Sequence, residues 1–407
     1  RRVAQRRAGG MAPHRSAVVF IVMLGCCQLS WSAALGLYAM YYMFFCVQTP
    51  KLVYKKSNDA DVLLARCPHL QRPYYPLFWL PEPNLQLAFY LFREILTKTL
   101  GGNKYLRQQF TLSDGGIIGL DWKPHTPEKL AALSPRTPTI LIMHGVCGHS
   151  DDLAVAECAR SCASNGWRVV VMVRRGHAGL KLETPRYNIF GDTHDLQEVI
   201  RHIHGRFPLS PVGVVGFSAG SALCMRYLGE KGTDSEVFCG IAVSPGYDIS
   251  VCCSRVTPFW GQALLARMKR HFLLPNREVL SSHDRDTFDA CMNAKHCHDF
   301  VAQSSPFSGY SNGCNWEHYL TRNNPTSKLS NISVPVLIIN AMDDPISVEE
   351  NILDHEKKFA NLDHCVLAML DKGSHCCFFN SSGTGTWLDG AVTEFVAAAL
   401  ERYEGRL

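Results

Sequence analysis

The chain has 407 residues, of which 46% are hydrophobic and 19% charged, and its formal net charge is +5. This size is sufficient for a large buried core, arranged as one large α/β domain or two smaller ones. The mild charge, and the lack of any lysine- and arginine-rich stripe with interleaved aromatic residues, exclude the nucleic-acid-binding class. The 17 cysteines contain no C-x-x-C pair, which argues against a zinc ribbon or a redox dithiol.

Residues 17–47 contain no charged side chain. Because about 20 apolar residues in a helix span a bilayer, the segment predicts a single-pass transmembrane anchor with a tilted or partly interfacial second half. A cleaved signal peptide is the alternative, but its apolar region is usually only about 7–15 residues long. Residues 1–16 then form a cytosolic or non-native tail, and the expected location is the endoplasmic reticulum or another endomembrane.

The orientation of this anchor depends on the residues that flank it. Five arginines precede it within residues 1–15, and three lysines follow it within residues 51–56. The excess of positive charge before the anchor places the amino end in the cytoplasm. If translation starts at Met11, most of those arginines are lost and the bias could invert, so the side of the membrane stays open.

Residues 48–83 are predicted as a linker that is irregular from residue 57 onwards and rich in proline towards its end. The spacing of Leu85, Phe89, Phe92 and Leu96 predicts a helix with these side chains on one face. Residues 105–110 and 115–122 predict a strand pair joined by a tight turn. Apolar runs then alternate with helical patterns. Strands are predicted at 139–143, 168–173, 212–215, 237–243, 335–341 and 366–370, and helices at 151–164, 192–206 and 387–403.

This alternation predicts an α/β domain over residues 84–407, with a mostly parallel sheet covered on both faces. Residues 245–331 interrupt the alternation and are rich in cysteine, histidine, asparagine and aromatic residues. Helical pieces are predicted there near 259–272 and 285–291. An insertion between two strands, near the carboxyl end of the sheet, would cover a site at that edge as a cap and control which acyl chains enter.

The sequence Gly-Phe-Ser-Ala-Gly at residues 216–220 follows a predicted buried strand and precedes a predicted helix. A serine between two glycines at such a corner is typical of a nucleophile elbow, in which a sharp turn exposes the hydroxyl of Ser218. The alternative is an ordinary turn of glycine and serine between two core elements.

A nucleophilic serine needs a base and a carboxylate that orients the base, and in this fold they follow in the order Ser, acid, His. Asp343 and Asp344 come directly after the predicted strand 335–341. Asp344 is preferred because it lies two residues before an apolar residue that would return the loop to the core, and Asp343 is the alternative. His375 is the candidate base, since it lies in the loop between the last predicted strand and the final helix.

A developing oxyanion needs two N–H donors. The loop His-Gly-Val-Cys-Gly at residues 144–148 follows the strand 139–143, and the backbone amides of Val146 and Ala219 are the expected donors. We expect Cys147 to fill space in this loop and His144 to support it.

Several longer motifs carry a resemblance to a known family. They are Arg-Gly-His-Ala-Gly at 175–179, Thr-Pro-Arg-Tyr at 184–187, Gly-Asp-Thr-His-Asp-Leu at 191–196, Phe-Asp at 288–289 and Asn-Ala-Met-Asp-Asp-Pro at 340–345. From about residue 80 onwards the chain resembles the α/β-hydrolase superfamily. Within it the chain is similar to the fourth α/β-hydrolase family, which includes membrane-anchored mammalian lipid hydrolases, yeast medium-chain ethyl-ester synthases and plant embryogenesis-associated proteins. One departure is Ala-Gly-Ser at 219–221 in place of the usual Met-Gly-Gly, and the H-x-x-x-x-D acyltransferase motif does not occur.

The resemblance implies that Ser218, Asp344 and His375 take the triad positions, that an amino-terminal anchor holds the protein at a membrane, and that the substrates are lipid esters. The expected function is hydrolysis of acylglycerol or phospholipid acyl esters through an acyl-enzyme, without metal or cofactor. Transfer of the acyl group to an alcohol and non-catalytic binding of a lipid or protein partner are the alternatives. A pair between Arg186 and Asp195 is expected to fix the loop that carries the motifs, and contact with the substrate is the alternative.

Overall fold

The computed structural model describes residues 31–309 and 315–406. Its centre is a nine-stranded sheet with strand order β1-β9-β8-β7-β6-β4-β5-β3-β2. The strands are β1 (Lys51–Val53), β2 (Leu106–Thr111), β3 (Ile117–Lys123), β4 (Thr139–Met143), β5 (Arg168–Val173), β6 (Val212–Phe217), β7 (Cys239–Val243), β8 (Val336–Ala341) and β9 (Cys365–Leu370). Strands β4 to β9 pair in parallel, and antiparallel strands complete both edges. The predicted mostly parallel sheet is confirmed.

Helices cover both faces of the sheet because successive side chains of a strand point to opposite faces. In β4, Ile140 and Ile142 join one apolar cluster, whereas Leu141 and Met143 join the cluster on the other face. The helices outside the connection between β7 and β8 are α1 (Trp31–Tyr41), α2 (Asn58–Ala65), α3 (Pro68–Gln71), α4 (Pro83–Thr99), α5 (Pro127–Ala131), α6 (Leu153–Ser164), α7 (Thr193–Arg206), α8 (Ala219–Lys231), α15 (Glu349–Leu353), α16 (Glu356–Phe359) and α17 (Trp387–Tyr403), and α9 to α14 lie between β7 and β8.

The segment before α4 is part of the fold, and the predicted irregular run from residue 57 is wrong. Strand β1 pairs with β9 at the sheet edge, and α2 and α3 follow it. The Ser57 hydroxyl caps α2 by accepting a hydrogen bond from the Ala60 amide at 3.2 Å. Leu63, Leu64 and Leu70 then enter the same apolar cluster as α17. These few apolar residues gain helical structure by packing on α17, which lies more than 300 residues away in the sequence.

Helix α1 continues into a π-helical turn at Tyr42–Cys46. The rings of Tyr38 and Tyr42 pack edge-on against Phe78, with centroids 5.3 and 4.9 Å away. Residues 17–30 of the predicted anchor lie outside the described residues. Among the helices of the described ranges, we find none that has both the length and the apolar character needed to cross a bilayer.

The residues between β7 and β8 form a helical layer, as the interruption of the alternation predicts. Its helices are α9 (Ile249–Arg255), α10 (Pro258–Met268), α11 (Arg277–His283), α12 (Arg285–Asn293), α13 (Cys297–Ser304) and α14 (Trp316–Asn323). They share a separate apolar cluster that includes Phe272, Phe300 and Phe307, each at most 1% exposed. We call residues 245–331 the cap.

A cluster of charges fixes the loop that carries the family motifs, and its pairing differs from the prediction. Arg175 bonds Asp195 through Nε and Oδ2 at 2.7 Å and contacts Asp114 at 2.9 Å. Arg186 bonds Asp192 and contacts the same Asp114 at 3.1 Å. The predicted Arg186–Asp195 pair is therefore wrong. Arg175, which follows β5 closely, occupies the position beside Asp195. Arg186 bonds Asp192, the N-cap residue of α7, instead.

This cluster generates a prediction about stability. Replacing Asp195 with Ala leaves the buried Arg175 charge without its main partner, so we expect a loss of about 3 kcal/mol in the free energy of unfolding. The control is Asp354→Ala, because Asp354 pairs with Arg255 while the two side chains are 53% and 35% exposed. That exposed pair should contribute about 1 kcal/mol or less. Urea unfolding measures both variants, and equal losses would contradict this account.

Candidate active site

The elbow at the end of β6 has a shape that only glycine permits at two positions. A Cβ added to Gly216 would lie 2.1 Å from the Gly220 carbonyl oxygen, and one added to Gly220 would lie 2.4 Å from the Met143 oxygen. The backbone of Ser218 consequently turns through φ 52° and ψ −117° between β6 and α8. Its amide donates to the Val243 carbonyl at 2.9 Å, which ties the turn to β7.

Three loops at the carboxyl edge of the sheet bring the predicted Ser218, His375 and Asp344 together. The distance from Ser218 Oγ to His375 Nε2 is 2.9 Å, and His375 Nδ1 lies 2.7 Å from Asp344 Oδ2. The second oxygen of Asp344 accepts the amides of Ile346 and Ser347 at 2.7 and 2.8 Å. The imidazole therefore presents an acceptor to the serine hydroxyl and donates to a carboxylate that is fixed by backbone bonds.

Asp343 does not reach the imidazole. Its Oδ1 accepts the Ser374 amide at 2.8 Å, and its Oδ2 lies 3.9 Å from the Lys372 ammonium. Burial raises the pKa of the Asp343 carboxyl to about 7, although the Lys372 charge and the amide of Ser374 oppose the shift. Two adjacent carboxylates thus have separate tasks, since Asp344 contacts the His375 ring and Asp343 holds the loop that carries it.

The loop around His375 adopts backbone conformations that non-glycine residues rarely take. Ser374, Cys376 and Phe378 have φ values of 51°, 59° and 36°. The Cys376 amide donates to Ser244 Oγ at 3.2 Å, and the Ser374 hydroxyl donates to the Pro83 carbonyl at 2.8 Å. Such strain persists only where surrounding contacts enforce it, and it is common at functional sites.

The predicted oxyanion donors flank Ser218. A Cβ on Gly145 would lie 3.2 Å from Ser218 Cβ, which shows how closely the loop containing Val146 approaches the nucleophile. Ala219 is the first residue of α8, where backbone amides have no partner within the helix. In the described part of the chain, the amides of Val146 and Ala219 donate no hydrogen bond to another protein group.

His144 and Cys147 in the same loop are inert. His144 is fully buried, its Nδ1 lies 2.8 Å from the Gly145 carbonyl, and its Nε2 accepts the Arg174 amide at 3.2 Å. Burial lowers the pKa of His144 well below its ordinary value, and the Arg174 charge adds to the shift. Burial also raises the pKa of the Cys147 thiol to about 12, so a thiolate nucleophile is disfavoured.

Two cavities meet at Ser218 and His375. The larger, of about 240 Å³, lies between α4, α6 and the cap helix α10, and we call it the α4 cavity. The smaller, of about 60 Å³, lies under α9, α10 and α13, and we call it the cap cavity. The cap cavity is lined by apolar and small side chains, among them Ile249, Met268 and Val301. The α4 cavity is apolar beside Ser218 but also includes Glu94, Asp152 and Arg267. The sequence interpretation missed these three residues, because no short motif contains them.

Residues 134–382 match the family described as serine aminopeptidase, S33. The chain belongs to this family of the α/β-hydrolase superfamily. Human phospholipase ABHD3 is 27% identical over 374 residues, which cover 89% of this chain and 88% of that protein. Human monoacylglycerol lipase ABHD2 is 26% identical over 385 residues, covering 88% and 87%. Human protein ABHD15 is 26% identical over 343 residues, covering 80% and 69%. The predicted superfamily and the predicted enzyme class, a carboxylic ester hydrolase, are confirmed.

The crowded elbow predicts a sharp difference between two glycines. Gly216→Ala should lower the free energy of unfolding by about 3 kcal/mol or more, because its Cβ would overlap the backbone of α8. Gly205→Ala is the matched control, since Gly205 lies in α7 with no atom within 4 Å of the added Cβ. Helix propensity should make that change neutral or stabilising by up to about 1 kcal/mol. Thermal unfolding of both variants measures these changes. A Gly216→Ala variant as stable as the wild type would contradict the geometry of the elbow.

The pKa of Asp343 predicts how stability depends on pH. In the unfolded chain the carboxyl titrates near its ordinary value of about 3.9, whereas in the folded protein its pKa is raised to about 7. Between these values the unfolded state has lost the proton that the folded state keeps, so rising pH destabilises the wild type until about pH 7. Asp343→Asn cannot ionise. Its stability relative to wild type should therefore increase from pH 4.5 to pH 7.5 in urea unfolding, and a constant difference would contradict the shift.

Proposed function

We propose that this protein hydrolyses the carboxylic esters of lipids, acylglycerols or phospholipids, through an acyl-enzyme on Ser218. The observation that carries the proposal is the hydrogen-bonded series Ser218–His375–Asp344 at the junction of two largely apolar cavities. The names of the relatives, a phospholipase and a monoacylglycerol lipase, support lipid esters as the substrate class.

The proposed reaction begins with attack of Ser218 Oγ on the ester carbonyl carbon. His375 Nε2 takes the hydroxyl proton, and Asp344 stabilises the imidazolium that forms. The amides of Val146 and Ala219 then stabilise the negative oxygen of the tetrahedral intermediate. Collapse of this intermediate breaks the ester bond, and His375 returns the proton to the leaving alcohol.

Deacylation repeats these steps with water as the nucleophile. His375 removes a proton from the water, the hydroxyl oxygen attacks the acyl carbon, and Ser218 leaves with the proton from His375. An alcohol in the place of water would yield a new ester from the same intermediate. Product analysis with and without added ethanol separates hydrolysis from synthesis.

We also propose that the protein is held at a membrane by residues 17–47. Support comes from apolar side chains that are exposed near the α4 cavity. Leu85, Phe92 and Leu96, three of the four side chains predicted on one face of the helix, are 44–58% exposed on the outer face of α4, while its opposite face lines the cavity. Trp31 of α1 is 88% exposed. An apolar surface beside the site favours contact with a lipid phase.

The first test of the proposed function uses a fluorophosphonate probe, which reacts with activated serine hydroxyls. The wild type in detergent should be labelled, and Ser218→Ala should lose both labelling and ester hydrolysis. A folded wild type that remains unlabelled would instead support a protein that binds lipids without catalysis. Melting temperatures establish that both proteins are folded.

The two aspartates provide a matched pair for the proposed roles. Asp344→Asn should reduce kcat by about ten-thousandfold, because the amide no longer holds the imidazole in the required tautomer. Asp343→Asn keeps an acceptor for the Ser374 amide and should retain activity within about tenfold. Steady-state hydrolysis of a soluble p-nitrophenyl ester gives both values. Equal losses would contradict the assignment of Asp344 as the triad acid.

A further inference from the structure

Two helices present the same pattern to the α4 cavity. Helix α4 contributes four side chains at helical spacing, which are Leu87, Tyr90, Leu91 and Glu94. The cap helix α10 contributes another four at the same spacing, which are Trp260, Ala263, Leu264 and Arg267. Each stripe spans about two turns, is apolar or aromatic at its first three positions, and ends in a charged residue. The cavity wall is therefore apolar along most of its length and charged at one end.

Asp152 completes the charged end. This residue precedes α6, is 8% exposed, and lies with its Oδ1 3.7 Å from the Arg267 guanidinium. Its Oδ2 accepts the His149 amide at 3.0 Å. Its Oδ1 lies 3.1 Å from His149 Nδ1 but has no hydrogen bond in the described part of the chain. Asp152 is a lining residue of the α4 cavity, and a buried carboxylate oxygen without a hydrogen bond is costly unless a ligand or water supplies the donor.

Arg267 also has unused hydrogen-bonding capacity. A guanidinium offers five N–H donors, and Arg267 donates one hydrogen bond within the described residues, to the Cys147 carbonyl at 3.3 Å. The Asp152 oxygen at 3.7 Å is beyond hydrogen-bonding distance. Arg267 and Asp152, which both line the cavity that contains Ser218, thus offer unused donors and an unused acceptor.

Charges of both signs meet at this end of the cavity. Glu94 and Asp152 are opposed by Arg267 and by Lys98, whose Nζ lies 3.3 Å from Glu94 Oε1. Burial lowers the pKa of His149, and the Lys98 charge adds to the shift, so this ring is neutral at pH 7. A ligand that carries formal charges would have to be desolvated beside charges that already have partners, which is costly. Hydroxyl groups fit, because each can accept a bond from Arg267 and donate one to Asp152.

Glu94, His149 and Asp152 could also be considered as metal ligands, since their ligand atoms all lie within 4.8 Å of one another. Two cations already occupy the surroundings of these groups. Lys98 Nζ lies 2.5 Å from His149 Nε2, and Arg267 faces Asp152. A divalent ion would meet both positive charges, so the electrostatics favour a neutral organic ligand.

We propose that Arg267 and Asp152 form a head-group subsite that binds the hydroxyls of an uncharged polyol ester, such as the glycerol of a monoacylglycerol. This inference rests on the proposed function and assigns the two halves of its substrate. The alcohol half lies in the α4 cavity, whose charged end disfavours an alkyl chain. The first carbons of the acyl half enter the cap cavity, whose volume of about 60 Å³ is too small for a whole fatty acyl chain, and where no charged side chain is among the lining residues that the structure describes.

The test compares two esters of one fatty acid, the 1-monoacylglycerol and the ethyl ester, which lacks the two hydroxyls. A site built to bond hydroxyls discriminates strongly against an analogue without them. The wild type should therefore have a kcat/KM about tenfold or more higher for the monoacylglycerol. Arg267→Met should reduce this ratio about tenfold, mainly through KM, and Asp152→Asn should reduce it in the same direction.

The matched control is Arg255→Met, which removes another cap arginine whose ion pair with Asp354 lies outside both cavities. For Arg255→Met, the ratio of kcat/KM for the monoacylglycerol to kcat/KM for the ethyl ester should equal that of the wild type. A structural role for Arg267 would lower the melting temperature and both kcat/KM values while the ratio stayed constant. If Arg267→Met leaves the ratio of the two kcat/KM values unchanged, the proposed subsite is wrong. The comparison of the wild type with Arg267→Met tests the subsite even if Asp152→Asn fails to fold.

Head groups that carry formal charges provide the second comparison, with the zwitterionic lysophosphatidylcholine and the anionic lysophosphatidate of the same acyl chain. The wild type should hydrolyse both less efficiently than the monoacylglycerol, and the reverse order would overturn the assignment of an uncharged head group. The proposed function itself is tested by hydrolysis of the ethyl ester, which the wild type should catalyse and Ser218→Ala should not. If that hydrolysis is present and the ratio is insensitive to Arg267, only the subsite fails.

Discussion

The close approach of α8 to the end of β6 is the constraint on which the site depends. The carbonyl of Gly220 occupies the space that a side chain on Gly216 would need, and the Met143 carbonyl does the same to Gly220. A helix that begins so near the strand forces Ser218 into a positive φ and places its hydroxyl at the carboxyl edge of the sheet. The loops after β8 and β9 open at that same edge, because all three strands run parallel. The geometry around the hydroxyl therefore follows from the parallel sheet.

Much of this arrangement can be predicted from the sequence because the signals are local. Short apolar runs alternate with helical patterns, which is sufficient to predict the parallel sheet and the positions of Ser218 and His375 in its loops. The two glycines indicate the elbow together with the predicted strand before them and the predicted helix after them. The choice between Asp343 and Asp344 is less local, since both follow β8, and their different partners depend on how the Ser374 loop packs against them.

The features that the sequence did not predict all depend on distant contacts. Helices α2 and α3 exist because of packing on α17, at the other end of the chain. Arg175 bonds Asp195 through tertiary proximity, and nothing in the spacing of the motif distinguishes it from Arg186. The charged end of the α4 cavity is assembled from α4, the start of α6 and the cap, which are separated by 50 to more than 100 residues. No short pattern can indicate such a set.

The proposed mechanism depends on a covalent acyl intermediate at Ser218. Rapid-quench mass spectrometry of the detergent-extracted protein with a p-nitrophenyl ester measures this most directly. The acyl-enzyme mechanism predicts that the intact protein gains the mass of one acyl group within the first turnover, and that the modified peptide contains Ser218. Hydrolysis in which no acyl group becomes attached to the protein, or an acyl group attached to a different residue, would contradict it.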